Sequence, residues 1–286
     1  MIRYPTLEPF NFLGLANQTY EGAKVVIFPV PYSGTTYWQS GTKDGPRAII
    51  EASRHVELYD SELKKDPSKA GVFTLGEMEP AKQSPEETIS RIKGVITKIL
   101  QSGKFPFMLG GEHSISNGAI QAFHQKLGQN FSILHIDAHT DSRDEFEGTK
   151  WHHGCVMRRA RELELKVTHV GIRAVSKAEA KYFESNGITS IFYAPNIPVN
   201  EIIETLQENV YITIDLDGLD PSIMPSVGTP EPGGLGWYET LNLLKTVAAK
   251  RKVIGADVVE LCPIPGLVAP DFLAAKLVYK IIGYTS

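Results

Sequence analysis

The stretch FSILHIDAHTDSRDEF, residues 131–146, carries an apolar run directly into Asp137, His139 and Asp141 at alternate positions. Such a run reads as a strand covered on both faces, the pattern of a parallel sheet flanked by helices. Its charged residues then fall at the carboxyl end of the strand, where open α/β sheets bind ligands. Charges packed against a core are costly unless opposite charge or a metal meets them.

Outward from this stretch the same grammar repeats. Strand-like runs are predicted at 23–30, 70–75, 105–110, 167–172, 188–193, 210–216 and 252–261. Helical segments alternate with them at 45–58, 114–127, 176–186, 199–208, 238–249 and 270–282. The clearest helix starts at Ser84, with Pro85 at its first position and Glu87 placed to complete a capping box, and stops at Gly103. Alternating β and α segments predict an α/β protein on a mainly parallel sheet, with residues 1–286 forming one domain. The Gly-rich stretch PVPYSGTTYWQSGTKDGPRAI has no period, and a connection of that length is usually functional or mobile.

Composition narrows the function. The 286 residues are 42% hydrophobic, enough for a large core, and the net charge of -4 offers no basic surface for nucleic acid. No run of roughly 18 apolar residues predicts a membrane span. The opening MIRYPTLEPF lacks the basic start and apolar core of a secretion signal, and Cys155 and Cys262 are too few for a disulfide framework. A cytoplasmic location is expected.

Four strand ends carry acids or histidines: His113 after 105–110, the Asp137–His139–Asp141 series, Asp215 and Asp217 after 210–216, and Glu260 at the last strand. One aspartate at a strand end is a loop cap. A D-x-H-x-D and a D-x-D together would repel in a partly dry cleft. Four aspartates and neutral His113 and His139 are balanced by two divalent ions, and carboxylate with imidazole but no thiolate suits Mn²⁺. His135, inside its strand, reads as a packed core histidine. His55, His124 and His169 read as surface or packing residues, Asp220 as a turn cap and Cys262 as a small core residue.

The stretches GGEHSI, DAHTD, TIDLDGLDP and GADVVELCP, with PYSGTTYWQSGTKDGPRAI and GTPEPGG, resemble the ureohydrolase family of arginase, agmatinase and their relatives. The resemblance runs from about residue 28 to 266 and implies a three-layer α/β/α sandwich. It implies one Mn²⁺ on His113, Asp137, Asp141 and Asp215, and a second on His139, Asp137, Asp215 and Asp217. It makes Glu260 the receiver of the substrate guanidinium, with Asp141 and a mobile histidine handling protons. In WHHGC, His153 fits that histidine better than His152, though two adjacent histidines leave the choice between neighbours open.

The implied substrate is a small cationic guanidino compound, and the implied assembly a homo-oligomer, trimer or hexamer. The Ser-Gly-Asn stretch by which arginase reads its amino acid is absent, and Asp144, Glu145 and Glu147 stand there instead. This acidic loop suits an amine tail and so agmatine, giving putrescine and urea, unless the loop is only a solvated turn. Guanidinobutyrate, arginine and formimidoylglutamate are the competing substrates. A zinc deacetylase and a non-catalytic relative are the readings from other classes.

Overall fold

A computed structural model describes residues 7–81 and 84–286; the first six residues of the stretch read for a secretion signal lie outside it. The strands are β1 (Val25–Val30), β2 (Val72–Thr74), β3 (Phe105–Gly110), β4 (Ser132–Ile136), β5 (Lys166–Ile172), β6 (Ile191–Tyr193), β7 (Asn209–Asp215) and β8 (Lys252–Val259). Each overlaps one of the runs expected from sequence. All pair in parallel, in the order β2-β1-β3-β8-β7-β4-β5-β6.

The eight α-helices among the described residues are α1 (Gly45–Ser53), α2 (Pro85–Gln101), α3 (Ser116–Leu127), α4 (Val156–Glu162), α5 (Lys177–Ser185), α6 (Val199–Thr205), α7 (Trp237–Lys250) and α8 (Ala269–Thr285). None is long and apolar enough to cross a membrane. Strand side chains alternate between two cores. Val25 and Ile27 pack in the cluster that includes Ile49 of α1, Leu244 of α7 and Leu277 of α8. Val26 and Phe28 pack in the other, with Ile92 of α2, Ile120 of α3 and Met157 of α4. The result is the expected α/β/α sandwich.

Three local readings change. At the start of α2, the Ser84 side chain accepts from the Glu87 N–H at 3.0 Å, but the Glu87 carboxylate accepts from Arg91 Nε instead of closing a capping box. α1 ends at Ser53, short of residue 58, where the Ser53 hydroxyl donates to Ile50 O and accepts from the Leu13 N–H. α4 has no counterpart in the sequence reading. Its first-turn N–H groups on Met157 and Arg158 donate to the carbonyl of Asp141, a long-range cap that local pattern does not contain.

Candidate metal centre and active site

Strands β3, β8, β7 and β4 are neighbours in the sheet. Their carboxyl ends therefore bring His113, Glu260, Asp215, Asp217, Asp137, His139 and Asp141 into one place. His113 Nδ1 lies 3.3 Å from Asp137, 3.1 Å from Asp141 and 3.4 Å from Asp215. Although buried, this nitrogen has no hydrogen-bond partner. On the other side of Asp137, His139 Nδ1 lies 3.5 Å from Asp137 and 3.0 Å from Asp217. No lysine or arginine forms an ion pair with these acids among the described residues.

The protonation behaviour follows from that crowding. Burial first, then the charges of Asp217 and Asp137, push the Asp215 carboxyl well above the usual range. Burial and Asp137 raise Asp141 as well. Burial and Glu112 raise Glu260. His139 shows the converse: burial opposes its charge, yet Asp217 and Asp137 push it up to about 12.

An unpartnered buried imidazole nitrogen facing three carboxylates, with no lysine or arginine to neutralise them, fits a site for cations. His113, His135, Asp137 and Asp141 offer ligand atoms within 4.8 Å of one another, and so do Asp137, His139 and Asp217. His135 differs from its sequence reading only in having more to do. It is a buried core residue, and its Nε2 lies 2.8 Å from Asp137 Oδ2 while its Nδ1 meets His169 Nδ1 at 2.9 Å. That arrangement orients Asp137 from behind. Asp257 plays a similar part for His113, through Thr213: His113 Nε2 meets Thr213 Oγ1 at 2.8 Å, and Thr213 donates to Asp257 at 2.6 Å.

Two of the acids sit on strained backbone. Asp141 has φ 45° and Glu260 φ 65°, the left-handed region that side chains disfavour by about 1 kcal/mol. Glu260 is held there by the His113 N–H, which donates to its Oε1 at 2.6 Å. Glu112, between the matched glycines and His113, went unassigned in the sequence. Its buried carboxylate accepts from the Thr35 N–H at 2.6 Å, the Thr35 hydroxyl at 2.5 Å and the Ser114 hydroxyl at 2.5 Å. The Thr35 hydroxyl oxygen accepts in turn from the His153 N–H at 3.1 Å. Glu112 thus ties the long Gly-rich loop to the backbone of the candidate mobile histidine. A glutamate directly after a glycine pair was the available signal.

A cavity of about 710 Å³ opens over the cluster. It is lined by His139, Asp141, Asp215, Asp217 and Glu260, by His153, and by Thr36 to Gln39 of the Gly-rich loop. His152 is not on its wall; it is buried at the start of a short turn, its Nδ1 accepting from the Gly154 N–H. Burial and the neighbouring histidines hold His153 down to about 3, and burial holds His152 down to about 4. Of the two sequence readings of the acidic loop, the structure fits the solvated turn and not the reader of an amine tail. Asp144 pairs with Arg159 at 3.1 Å, and Asp144, Glu145 and Glu147 do not line the cavity. Arg143 and Phe146 of the same loop do. Asp220 caps its turn, accepting from the Ser222, Gly233 and Gly234 N–H groups.

A family model described as the arginase family matches residues 23–283. The chain belongs to the arginase family. An N(1)-aminopropylagmatine ureohydrolase of Synechocystis sp. is 39% identical over 98% of this chain and 95% of its own length. An agmatinase of Halalkalibacterium halodurans is 34% identical over 87% of each. The crystal structure of an agmatine ureohydrolase of Thermoplasma volcanium superposes with a TM-score of 0.87 at 33% identity, covering 98% of this chain and 94% of that one. This arginase-family chain is an amidinohydrolase of the agmatinase type, and its fold is that of the family.

Proposed function

We propose that the protein hydrolyses the guanidino group of N(1)-aminopropylagmatine, consuming one water and releasing urea and spermidine. The observation that carries this reading is the placement of Glu260 on the same cavity wall as the uncompensated acid cluster and His153. A carboxylate there holds a guanidinium by paired N–H···O contacts, beside the acids. The long relative of agmatine is favoured because a cavity of about 710 Å³ is of a size that takes drug-sized ligands, and because the Synechocystis relative bears that name. Agmatine, giving putrescine and urea, is the second reading, supported by the relatives named agmatinase.

His113, Asp137, Asp141 and Asp215 would hold one divalent ion, and His139, Asp137, Asp215 and Asp217 the other, with Mn²⁺ the ion that the ligand chemistry favours. When bound, such a pair supplies Lewis acidity and water activation at neutral pH. The chain's own groups do the rest. Glu260 orients the guanidinium and neutralises its charge. Asp141 accepts a proton at a carboxylate oxygen beside the reacting carbon. His153, neutral at pH 7, takes up a proton at a ring nitrogen and passes it to the leaving amine. The Gly-rich loop, clasped by Glu112 through Thr35, supplies Thr36 to Gln39 to the cavity wall. A single sheet threaded from β1 to β8 supports reading residues 1–286 as one domain. Family likeness supports a cytoplasmic homo-oligomer, trimer or hexamer.

The test is urea release by the Mn²⁺-loaded protein from N(1)-aminopropylagmatine, agmatine, arginine and guanidinobutyrate in parallel. The highest kcat/KM is expected for the first. Preference for arginine or guanidinobutyrate would sink the substrate reading and leave the chemistry standing. His153→Ala should slow turnover with metal content kept; if His152→Ala does so instead, the proton carrier is the neighbour.

A further inference from the structure

A guanidino substrate with a cationic tail leaves at least one ammonium for the cavity to hold, away from Glu260. Most acids on the cavity wall are already committed. Asp141, Asp215 and Asp217 belong to the candidate metal cluster. Glu179 has both oxygens occupied: Oε1 accepts from the Thr140 hydroxyl and the Ser142 N–H, and Oε2 from the Ser176 N–H and hydroxyl. Glu231 remains. It lines the cavity, and its carboxylate has no ion-pair or hydrogen-bond partner among the described residues.

The backbone carrying Glu231 is unusually constrained. It stands between Pro230 and Pro232, which fix their own φ and restrict the residues before them. Its N–H donates to Thr229 O at 2.8 Å, and the Thr229 hydroxyl donates to Asp217 Oδ2 at 3.2 Å. Its carbonyl accepts from Arg173 Nη2 at 2.7 Å, and the same nitrogen donates to Asp217 O at 2.6 Å. The Glu231 backbone is therefore held in fixed relation to the end of the acid cluster, with its carboxylate left free. Such bracing suits recognition, because only the side chain and not the backbone must be ordered when the ligand arrives.

Two further features bear on the tail. Tyr37 and Trp38 line the same cavity yet are 64% and 68% exposed, offering aromatic faces to methylenes or an ammonium. Arg143 also lines it, its guanidinium 4.2 Å from the centre of the Phe146 ring and without an acidic partner among the described residues. Among the described residues the cavity wall thus carries a carboxylate, Glu231, and a guanidinium, Arg143, without hydrogen-bond or ion-pair partners, and a tail of either sign is the decisive control.

We propose that Glu231 receives the tail ammonium and is the residue by which this enzyme selects cationic over anionic tails. The proposal rests on the amidinohydrolase reading of the cavity. It assigns recognition to a residue outside the loop that the sequence pointed to.

The experiment compares wild type with Glu231→Gln on N(1)-aminopropylagmatine, agmatine and guanidinobutyrate, and measures putrescine binding by calorimetry. In the variant, KM for the two amine-tailed substrates should rise about tenfold with kcat moving far less, the pattern of lost uniform binding. KM for guanidinobutyrate should stay or fall, and putrescine affinity should drop by a similar factor. Unchanged KM values for both amines would overturn the assignment, as would an equal rise for all three substrates. Glu231→Lys should carry the preference further toward guanidinobutyrate, and failure to do so would also count against it. A wild type that prefers guanidinobutyrate or arginine overturns the substrate reading as well as this assignment. A wild type that prefers the amines, beside an indifferent Glu231→Gln, overturns this assignment alone.

Discussion

Two groups of charge in this molecule, one partly buried and the other with all its aspartates buried, reach neutrality by opposite routes. Beneath α8, Asp60 is 2% exposed and meets Lys280 at 2.8 Å; Lys280 also reaches Glu62 at 2.7 Å, and Lys245 reaches Glu62 at 2.8 Å. The bonds from Lys245 and Lys280 draw the Glu62 carboxyl down to about 2. Acids and lysines alternate there, and the chain supplies its own counter-charge. At the ends of β3, β8, β7 and β4, the aspartates meet imidazoles and one another, and Asp215 is driven upward instead. Internal pairing serves stability. Unmatched acids, held in place by the fold, leave work for an ion from solution.

The largest effect that would break this contrast is loss of function at the cluster. Asp137→Asn is expected to cut urea release by about a thousandfold or more, and metal analysis should find the ions gone. Full activity and metal content in that variant would remove the contrast altogether. Next comes the self-neutralised group. Lys280→Met leaves Asp60 buried without its main partner and should cost about 3 kcal/mol in chemical denaturation; a change under about 1 kcal/mol would mean that water satisfies Asp60.

Divalent metal should separate the two groups more finely. Mn²⁺ at about a hundred times its Kd should add about 2.7 kcal/mol to the wild type. Thermal melting should register the same increment in Lys280→Met and none in Asp137→Asn. Equal responses in all three would place the ion elsewhere.

The smallest expected effect is pH-dependent. Glu62 has a folded pKa of about 2 against an ordinary 4.5, so its contribution is present above pH 4.5 and is lost as pH falls toward 2. Glu62→Gln should therefore melt below wild type at neutral pH, and the gap should close across that window. A gap independent of pH would assign the loss to packing rather than charge.

Much of the site was legible because its signals are local. An apolar β-branched run followed by D-x-H-x-D states both a strand and its charged end, and the same holds for the run into Asp215 and Asp217. What escaped was long-range. α4 is capped by the carbonyl of Asp141, fifteen residues before Val156 by position in the chain. Glu112 acts through Thr35 and His153, which a reading of GGEHSI alone cannot connect. In the loop after Asp141 the acids stood out in the sequence, but Arg143 and Phe146 face the cavity; composition says nothing of which side of a loop meets a cleft.

By itself the sequence determined the element types, the parallel α/β class and the kinds of side chain that stand at each strand end, because hydrophobic period and strand-terminal residues are written within a few positions. Only the tertiary structure decided that β3, β8, β7 and β4 lie side by side, that His153 and not His152 lines the cavity, and that Glu231 is the acid left free on the cavity wall among the described residues. Sheet order and loop facing are set by packing between residues far apart in the chain, where no local period reaches.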